Sequence, residues 1–249
     1  MQYISIAAFV SNLYFTMILK TQHMASRIWT SADGIGSIEV VDVFGDDLTV
    51  VNAARVSFAK ESSEMVARDE GLINYLAKHK HVSPFFHPQI RLRIKMPLFV
   101  AREWFRHTIG FARNEVSRRY VDSEPELWIP QADSLRERDP KLKQGSKETP
   151  IDGADAVVEE IRNAGLQTVS FYNSLLARGV APEIARAVLP QGMYTEFIET
   201  GSLAAYARLW ELRTDPGAQR EIQAYARGIE TLLHPHFPVS WKALTSTNA

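Results

Sequence analysis

Two short stretches in the first half of the chain have the residue pattern of β-strands. Residues 38–44 are rich in β-branched side chains, and residues 89–95 alternate polar with apolar residues, as a strand with one buried face does. Gly45, Asp46 and Asp47 follow the first stretch and predict a turn in which an aspartate caps the next helix. The two stretches therefore predict two strands of a sheet.

Helical spacing of apolar residues is more extensive than strand alternation. It predicts helices over residues 48–56, 64–80, 98–107, 154–178, 182–188, 202–213 and 218–233. Residues 81–87 contain Ser-Pro and predict a loop, and the charged, proline- and glycine-containing residues 131–153 predict a surface excursion. Several helices with a few separated strands predict an α+β fold.

Composition narrows the chemistry open to this chain. Of 249 residues, 45% are apolar and 23% are charged, the formal net charge is −1, and none is cysteine. The lack of cysteine excludes disulfides, Cys-ligated zinc and thiolate nucleophiles. Because no global positive field exists, an anionic ligand must be held by a local arginine cluster. Neither a Gly-x-Gly-x-x-Gly motif after a strand nor a P-loop is present, so a nucleotide must bind by other means.

The N-terminal segment has an unusual composition. Residues 3–19 are largely apolar, but no basic residue precedes them and no clear small-residue cleavage site follows. About 17 apolar residues are marginal for a membrane span. We interpret residues 1–23 as a dispensable extension, with Met24 as the expected start, and we expect a soluble, cytoplasmic protein.

Candidate chemistry concentrates between Arg102 and Tyr120. This stretch contains five arginines together with a histidine, an asparagine, a glutamate and a serine. Arginine forks bind phosphate oxygens in a bidentate manner, so the stretch suits a phosphate ligand. Taken by itself, it could equally be a solvated basic surface with structural ion pairs.

This stretch resembles the signature of the flavin-dependent thymidylate synthase (ThyX) family. That signature is Arg-His-Arg, seven residues and then Ser, with Asn-Glu before the serine and Arg-Tyr after it. The chain has Arg106-His107-Thr108, then eight residues, then Ser117, flanked by Asn114-Glu115 and Arg119-Tyr120. Thr108 replaces an arginine, the spacer is one residue longer, and Glu103 stands where glutamine is common. Arg113, inside the spacer, could supply the missing guanidinium.

Four further segments resemble the same family in the same order. They are Ala53-Ala54-Arg55-Val56-Ser57, His81-Val82-Ser83-Pro84-Phe85-Phe86-His87, Arg186-Ala187-Val188-Leu189-Pro190 and Glu211-Leu212-Arg213. The resemblance extends from about Val40 to about Pro238. It implies an extension over residues 1–36, outside the catalytic core, and one domain over residues 37–240 with a central, mostly antiparallel sheet flanked by helices.

The resemblance also implies an activity, namely reductive methylation of dUMP to dTMP. The carbon would come from methylenetetrahydrofolate, and FAD reduced by NADPH would supply the hydride. Such a reaction needs no cysteine, because polarisation at N3 can activate C5 of the pyrimidine. The family further implies a homotetramer whose active sites are shared between subunits.

Site residues follow from the resemblance by position. The dUMP-binding residues would be Glu103, Arg106, Glu115, Val116, Ser117, Arg118, Arg119, Arg186 and Arg213, with Arg213 catalytic. The FAD-binding residues would be Ser57, His81, Ser83, Arg106, His107, Thr108, Glu115, Ser202, Leu203, Ala204 and Arg208. Arg208 stands where the family has asparagine, and Ser202-Leu203-Ala204 replaces a polar Asn-x-Arg type of segment.

Two alternative functions remain open at this level. His79, His81 and His87 could bind zinc in a metal-dependent hydrolase, although no His-Glu-x-x-His motif accompanies them and we predict no metal. The Arg102–Arg119 stretch, with Trp104, Phe105, Phe111 and Tyr120 interleaved, could bind single-stranded nucleic acid, although the near-neutral net charge argues against this.

Overall fold

A computed structural model describes residues 27–121, 123–141 and 145–246, and its centre is a five-stranded antiparallel sheet. In spatial order the strands are β1 (Ile28–Thr30), β2 (Ser37–Phe44), β3 (Gln89–Pro97), β7 (Tyr194–Ser202) and β4 (Phe111–Glu115). Every neighbouring pair is antiparallel. The predicted α+β fold with an antiparallel sheet is confirmed.

The middle strand, β3, explains why the sheet forms. Ile90, Leu92, Ile94 and Met96 are fully buried, and the residues between them are less buried. This period of two presents one apolar face to the helices and a polar face to the other side. The strand predicted over residues 89–95 is therefore confirmed, with two more residues at its end.

Helices account for much of the rest of the described chain, and several of them share one apolar core with the sheet. They are α1 (Asp47–Arg55), α2 (Ala67–Lys78), α3 (Leu98–Trp104), α4 (Ala154–Ala177), α5 (Pro182–Ala185), α6 (Leu203–Arg213), α7 (Arg220–Leu233) and α8 (Pro238–Thr245). All but α8 were predicted, within about three residues at each end. Asp46 caps α1 as expected, because its carboxylate accepts the backbone N–H of Thr49 at 3.0 Å.

Helix α8 was not predicted. It begins only five residues after α7 ends, so the two helices are separated by a very short connection. Asp47 of α1 holds its start. The buried carboxylate of Asp47 accepts backbone N–H groups from Val239 and Ser240, both at 2.9 Å. Trp241 of α8 then packs in the core with 1% of its surface exposed. This long-range cap leaves no local signal in the sequence, although Pro238 at the first position of α8 is a local helix-start signal that the prediction did not use.

Strand β7 was also missed, for a different reason. Its buried positions include Thr195, Glu199 and Gly201, whereas Ile198 is only half-buried. The apolar alternation that normally marks a strand is therefore absent. Polar groups on the buried face need partners there, and for Glu199 those partners lie in the motif segment described below.

Residues 131–141 and 145–153 lie mostly at the surface, as predicted, and they contain a two-stranded hairpin. Its strands are β5 (Arg136–Arg138) and β6 (Ser146–Pro150). Glu137 and Lys147 form an ion pair on one face of the hairpin. On the other face, Glu148 pairs with Arg220 at the start of α7. That second pair joins the hairpin to the body of the domain.

Residues 1–26, which include most of the predicted extension, lie outside the described residues. Residues 27–36 form β1 and the turn into β2. Trp29 of β1 packs edge-on against Tyr225, with ring centroids 5.0 Å apart. The boundaries of the catalytic domain stay a prediction. In the part of the chain that the structure describes, no helix is long and apolar enough to cross a membrane.

Candidate active site

The two halves of the arginine-rich motif lie on either side of a tight turn. Arg106 and His107 follow α3, Gly110 adopts φ +81°, and the chain then enters β4. A Cβ on Gly110 would lie 2.9 Å from Cβ of Ala205 and 3.0 Å from Oγ of Ser202. Only glycine combines this conformation with so close an approach. The turn therefore brings the motif against the start of α6.

At the first half of the motif, Arg213 joins His107 to Glu103. The Nε of Arg213 donates to Nε2 of His107 at 2.8 Å, and Nη2 donates to the carbonyl oxygen of Glu103 at 3.0 Å. Nη1 lies 3.3 Å from Oε2 of the Glu103 carboxylate. The Arg213 side chain is only 19% exposed. Three contacts thus fix one planar cation before any ligand binds.

His107 is held as a neutral imidazole. Burial lowers its pKa to about 4, and the positive charges of Arg213, Arg113, Arg208 and Arg106 add to the effect. Because Nε2 accepts the Arg213 hydrogen bond, the single ring proton lies on Nδ1. His107 is therefore a hydrogen-bonding side chain at neutral pH rather than a cation.

Two cavities open around this group and share Arg106. The smaller, about 320 Å³, contains four of the eleven predicted flavin-binding residues. It is lined by Arg106, His107, Thr108, Ile109, Phe111, Ala205 and Arg208. The larger, about 1950 Å³, runs from Glu103 and Arg213 to the β5–β6 hairpin and the start of α7. It is lined by Glu103, Arg106, Arg136, Gly145, Ser146, Glu148, Arg213 and residues 216–221.

A third cavity, about 910 Å³, gathers the second half of the motif. It is lined by Leu98, Glu115, Val116, Ser117, Arg118, Arg186, Ala187, Leu189, Met193, Tyr194 and Thr195. Thr195 donates to Oε1 of Glu115 at 2.6 Å, which orients that carboxylate. Arg119 lies beside this cavity and contacts Glu183 of α5 at 3.4 Å, with both side chains about half exposed.

The predicted dUMP-binding residues therefore fall into two groups. Glu103, Arg106 and Arg213 line the largest cavity, whereas residues 115–118 and Arg186 line the third. These two cavities have no lining residue in common. In one chain, the two groups are not brought together in a single pocket.

Other predicted flavin-binding residues lie outside the lining of the smaller cavity. Ser202 and Leu203 have buried side chains, and Oγ of Ser202 accepts the backbone N–H of Ala205 at 3.2 Å to cap α6. His81 and Ser83 are exposed, and Ser83 begins a 3-10 helix (Ser83–Phe86), so the segment predicted as a loop is partly helical. The ring of Phe86 approaches Gly110. Ser57 is exposed in the turn after α1. None of these side chains lines the smaller cavity, and neither does Ala204.

Arg113, suggested above as a replacement for the missing motif arginine, does not line the smaller cavity. Arg113 lies directly opposite Glu199 in the β4–β7 register, and the two side chains form a buried ion pair. Trp104 donates to the same carboxylate at 3.2 Å, and the Arg113 guanidinium packs over the Phe111 ring at 4.8 Å. Burial raises the pKa of the Glu199 carboxyl, which Arg113 partly offsets. Arg113 is therefore paired with Glu199 within the sheet, although its buried Nη2 has no hydrogen-bond partner among the described residues.

The structure supports neither alternative function. In residues 27–121, 123–141 and 145–246, no group of three or more His, Cys, Asp or Glu side chains could hold a metal ion. Of the aromatics proposed for base stacking, Trp104 is fully buried, Phe105 packs on Phe197 and Phe111 packs on Tyr206. Tyr120 alone among those four is largely exposed, at 77%.

Several lining residues had no signal in the sequence. Met193, Tyr194 and Thr195 come from the missed strand β7 and the residue before it, and Arg136 and Glu148 come from the hairpin. These residues reach the cavities only because distant segments pack together. Neither their spacing nor their composition marks them as site residues.

Comparison with known proteins identifies relatives over most of the chain. The profile of the family described as "Thymidylate synthase complementing protein" matches residues 39–239. A flavin-dependent thymidylate synthase of Thermus thermophilus is 38% identical over 208 residues, covering 84% of this chain and 75% of that protein. The flavin-dependent thymidylate synthase of Thermosipho melanesiensis is 37% identical over 214 residues, covering 86% and 92%.

Solved structures show the same relationship. The UMP/dUMP methylase PolB from Streptomyces cacaoi, bound with 5-Br dUMP, superposes with a TM-score of 0.76 at 33% identity. That match covers 84% of this chain and 94% of PolB. The same enzyme bound with 5-Br UMP gives a TM-score of 0.75 at 32% identity.

Proposed function

We propose that this chain, which belongs to the thymidylate synthase complementing protein family, methylates C5 of dUMP to form dTMP. The relatives most similar to it among those compared above are flavin-dependent thymidylate synthases. Methylenetetrahydrofolate is the proposed carbon donor, and FAD reduced by NADPH is the proposed source of the hydride. The observation that carries the proposal is the fixed Arg213–His107–Glu103 group at the end of the largest cavity.

We propose that the third cavity binds the nucleotide phosphate. Ser117, Arg118 and Arg186 line it and offer a hydroxyl and two guanidinium groups, and Arg119 lies beside it. Arginine donors suit phosphate oxygens in number and geometry. Glu115, oriented by Thr195, and Val116 would contact the rest of the nucleotide.

The pyrimidine would contact Arg213, Glu103 and Arg106 in the largest cavity. Because these residues and the phosphate-binding group share no cavity in one chain, a nucleotide touching both groups would need a second subunit. This separation supports the expected homotetramer with shared active sites. The cytoplasm remains the expected location.

The residues of the smaller cavity suit the phosphate and ribityl oxygens of FAD. When bound, FAD would supply the hydride chemistry. Thr108 stands where the family resemblance implies an arginine, but Arg208 lines the same cavity and makes no ion pair with any described residue. We therefore propose that Arg208 provides the guanidinium that Thr108 cannot. Ser57, His81, Ser83 and the backbone of residues 202–204 would complete the site from its edges.

Within this scheme the protein acts mainly by fixed charge. Three contacts hold Arg213, so its guanidinium needs little reorganisation when negative charge develops on the pyrimidine. His107 supports Arg213 as a neutral acceptor and does not compete with it as a second cation. The chain contains no cysteine, so activation of the ring by a cysteine thiolate is unavailable.

An absorbance spectrum of the purified protein tests the proposal first. We expect flavin bands that bleach when NADPH is added, and dTMP formation once dUMP and methylenetetrahydrofolate are supplied. Parallel reactions with UMP would show whether this chain also accepts the ribonucleotide, since PolB is a UMP/dUMP methylase and its structure with 5-Br UMP is solved. A colourless protein that neither takes up added FAD nor forms dTMP would overturn the proposal.

Binding variants then test the assignment of residues. Charge-assisted contacts to phosphate contribute roughly 1.5–3 kcal/mol each, so Arg186→Ala and Arg119→Ala should each raise the Kd for dUMP about tenfold or more. Arg162→Ala, on the exposed surface of α4, is the matched control and should leave the Kd unchanged. His107→Ala and Arg208→Ala should retain less FAD. Full FAD occupancy in both variants would contradict the flavin assignment.

A further inference from the structure

The end of the largest cavity contains a carboxylate in direct contact with the cation assigned to the pyrimidine. Oε2 of Glu103 lies 3.3 Å from Nη1 of Arg213, and the Glu103 side chain is 29% exposed. Both side chains line the cavity. Glu103 is therefore partly accessible to a ligand while it stays paired with Arg213.

Other bases near this position are occupied or displaced. His107 uses Nε2 to accept the Arg213 hydrogen bond, so that nitrogen is not free to take a proton. Of the other carboxylates that line the described part of the cavity, Glu148 is paired with Arg220, and Glu221 belongs to the first turn of α7. Glu103 is the carboxylate in contact with Arg213.

We propose that Glu103 is a catalytic base that accepts the N3 proton of the uracil ring and selects uracil over cytosine. Glu103 can have this role only if the chain acts on a pyrimidine nucleotide, as proposed above. The N3–H bond breaks, a bond from the proton to a Glu103 carboxylate oxygen forms, and the electron pair stays in the ring, spread over N3, O2 and O4. That negative charge offsets the positive charge that develops at N1 and C6 when the C5–C6 electron pair forms the new bond.

The transfer conserves charge at the site. Before it, the carboxylate of Glu103 neutralises Arg213. After it, the ring anion takes over as the partner of Arg213, and Glu103 becomes a neutral acid. The site therefore keeps the same net charge in a partly dehydrated cavity, where an unpaired charge is costly. A glutamine at this position could form a hydrogen bond with the ring but could not take the proton.

The same chemistry predicts base selection. A carboxylate accepts the N3–H of uracil, whereas the lone pair on N3 of cytosine repels it. A glutamine side chain can turn its amide and donate to the cytosine N3. Discrimination between dUMP and dCMP should therefore depend on whether residue 103 is an acid or an amide.

The test compares the wild-type enzyme with Glu103→Gln, Glu103→Asp and the control Glu159→Gln, a carboxylate on the exposed surface of α4. The first measurements are flavin content and the Kd for dUMP, which should change less than about threefold in Glu103→Gln. General-base catalysis contributes about 10²–10⁴-fold, so kcat of Glu103→Gln should fall about 100-fold or more. Glu103→Asp, which keeps a carboxylate, should recover part of the loss. Glu159→Gln should match the wild type.

Two readouts separate a base from a merely structural residue. The wild-type kcat/KM should decline at acidic pH, and this decline should be absent in Glu103→Gln. The ratio of the dCMP Kd to the dUMP Kd should exceed about ten in the wild type and narrow several-fold in Glu103→Gln. The second readout needs no turnover.

Several results would overturn the proposal. The first is a kcat of Glu103→Gln within threefold of the wild type. The second is a decline of kcat/KM at acidic pH that is the same in Glu103→Gln as in the wild type. The third is an equal ratio of the dCMP Kd to the dUMP Kd in both proteins. A wild-type enzyme that binds no pyrimidine nucleotide would instead refute the proposed function. The titration of His107 controls for displacement of Arg213, because its pKa should stay well below 6.5 in Glu103→Gln if Arg213 keeps its place.

Discussion

Replacing Arg213 by alanine removes the cation at the end of the largest cavity together with its three contacts. These contacts are the 2.8 Å bond to His107, the 3.0 Å bond to the Glu103 carbonyl and the 3.3 Å approach to the Glu103 carboxylate. A guanidinium held this firmly is preorganised for charge that appears only during reaction. Its removal should therefore lower kcat more than it weakens binding of dUMP.

The size of the effect follows from the geometry. Loss of one preorganised donor typically lowers kcat by about 10²–10³, or about 3–4 kcal/mol of barrier. Arg213→Lys keeps the charge, but a single ammonium group cannot reproduce contacts made through Nε, Nη1 and Nη2 at once. We expect Arg213→Lys to lose at least about tenfold in kcat and Arg213→Ala about 100-fold or more.

A second consequence of the same change can be measured without turnover. After burial, Arg213 is the largest contributor to the low pKa of His107, because its positive charge opposes protonation of the ring. In Arg213→Ala the pKa of His107 should therefore rise from about 4 toward 6.5. An NMR titration of the His107 ring protons would show this shift, with Arg162→Ala as the control.

The assays are dTMP formation after flavin content has been checked, and the His107 titration. Turnover within threefold of the wild type in both Arg213 variants would end the assignment of Arg213 to pyrimidine activation. An unchanged pKa of His107 in Arg213→Ala would show that the hydrogen-bonded arrangement itself is wrong.

Three further predictions concern stability. Glu199→Ala should lower the free energy of unfolding, measured with urea, by about 3–5 kcal/mol, because it leaves Arg113 charged and unpaired beside the core. Replacing both residues by apolar ones should recover part of that loss. Gly228→Ala should lower Tm by several degrees, since an added Cβ would lie 2.6 Å from the Trp29 ring, and Trp29→Ala should relieve the clash. The pKa of His107 is about 4 in the folded protein, below its ordinary value of 6.5. Between these two pH values the ring is protonated in the unfolded chain and neutral in the folded one. The free energy of unfolding should therefore be unaffected by His107 above pH 6.5 and should decrease as the pH falls toward 4. In His107→Gln this decrease should be smaller.

Local patterns in the sequence determined much of the architecture. The alternation through Ile90, Leu92 and Ile94 predicted the central strand, because one face of β3 is entirely apolar. Helical spacing predicted the main helices, and Asp46 capped α1 as expected. The motif around Arg106 and Ser117 also identified the family, because the identity and spacing of residues within one segment can be read directly from the sequence.

Only the tertiary structure decided which of these groups face each other. Arg113 belongs to the motif by position, but the register of the β4–β7 pair places it opposite Glu199, with which it forms an ion pair. Thr108 and Arg208 lie one hundred residues apart and still line one cavity. Strand β7 could not be recognised locally, because its buried face contains Thr195, Glu199 and Gly201 in place of an apolar row. Strand register and helix packing depend on contacts between distant segments, and periodicity within one segment does not specify them.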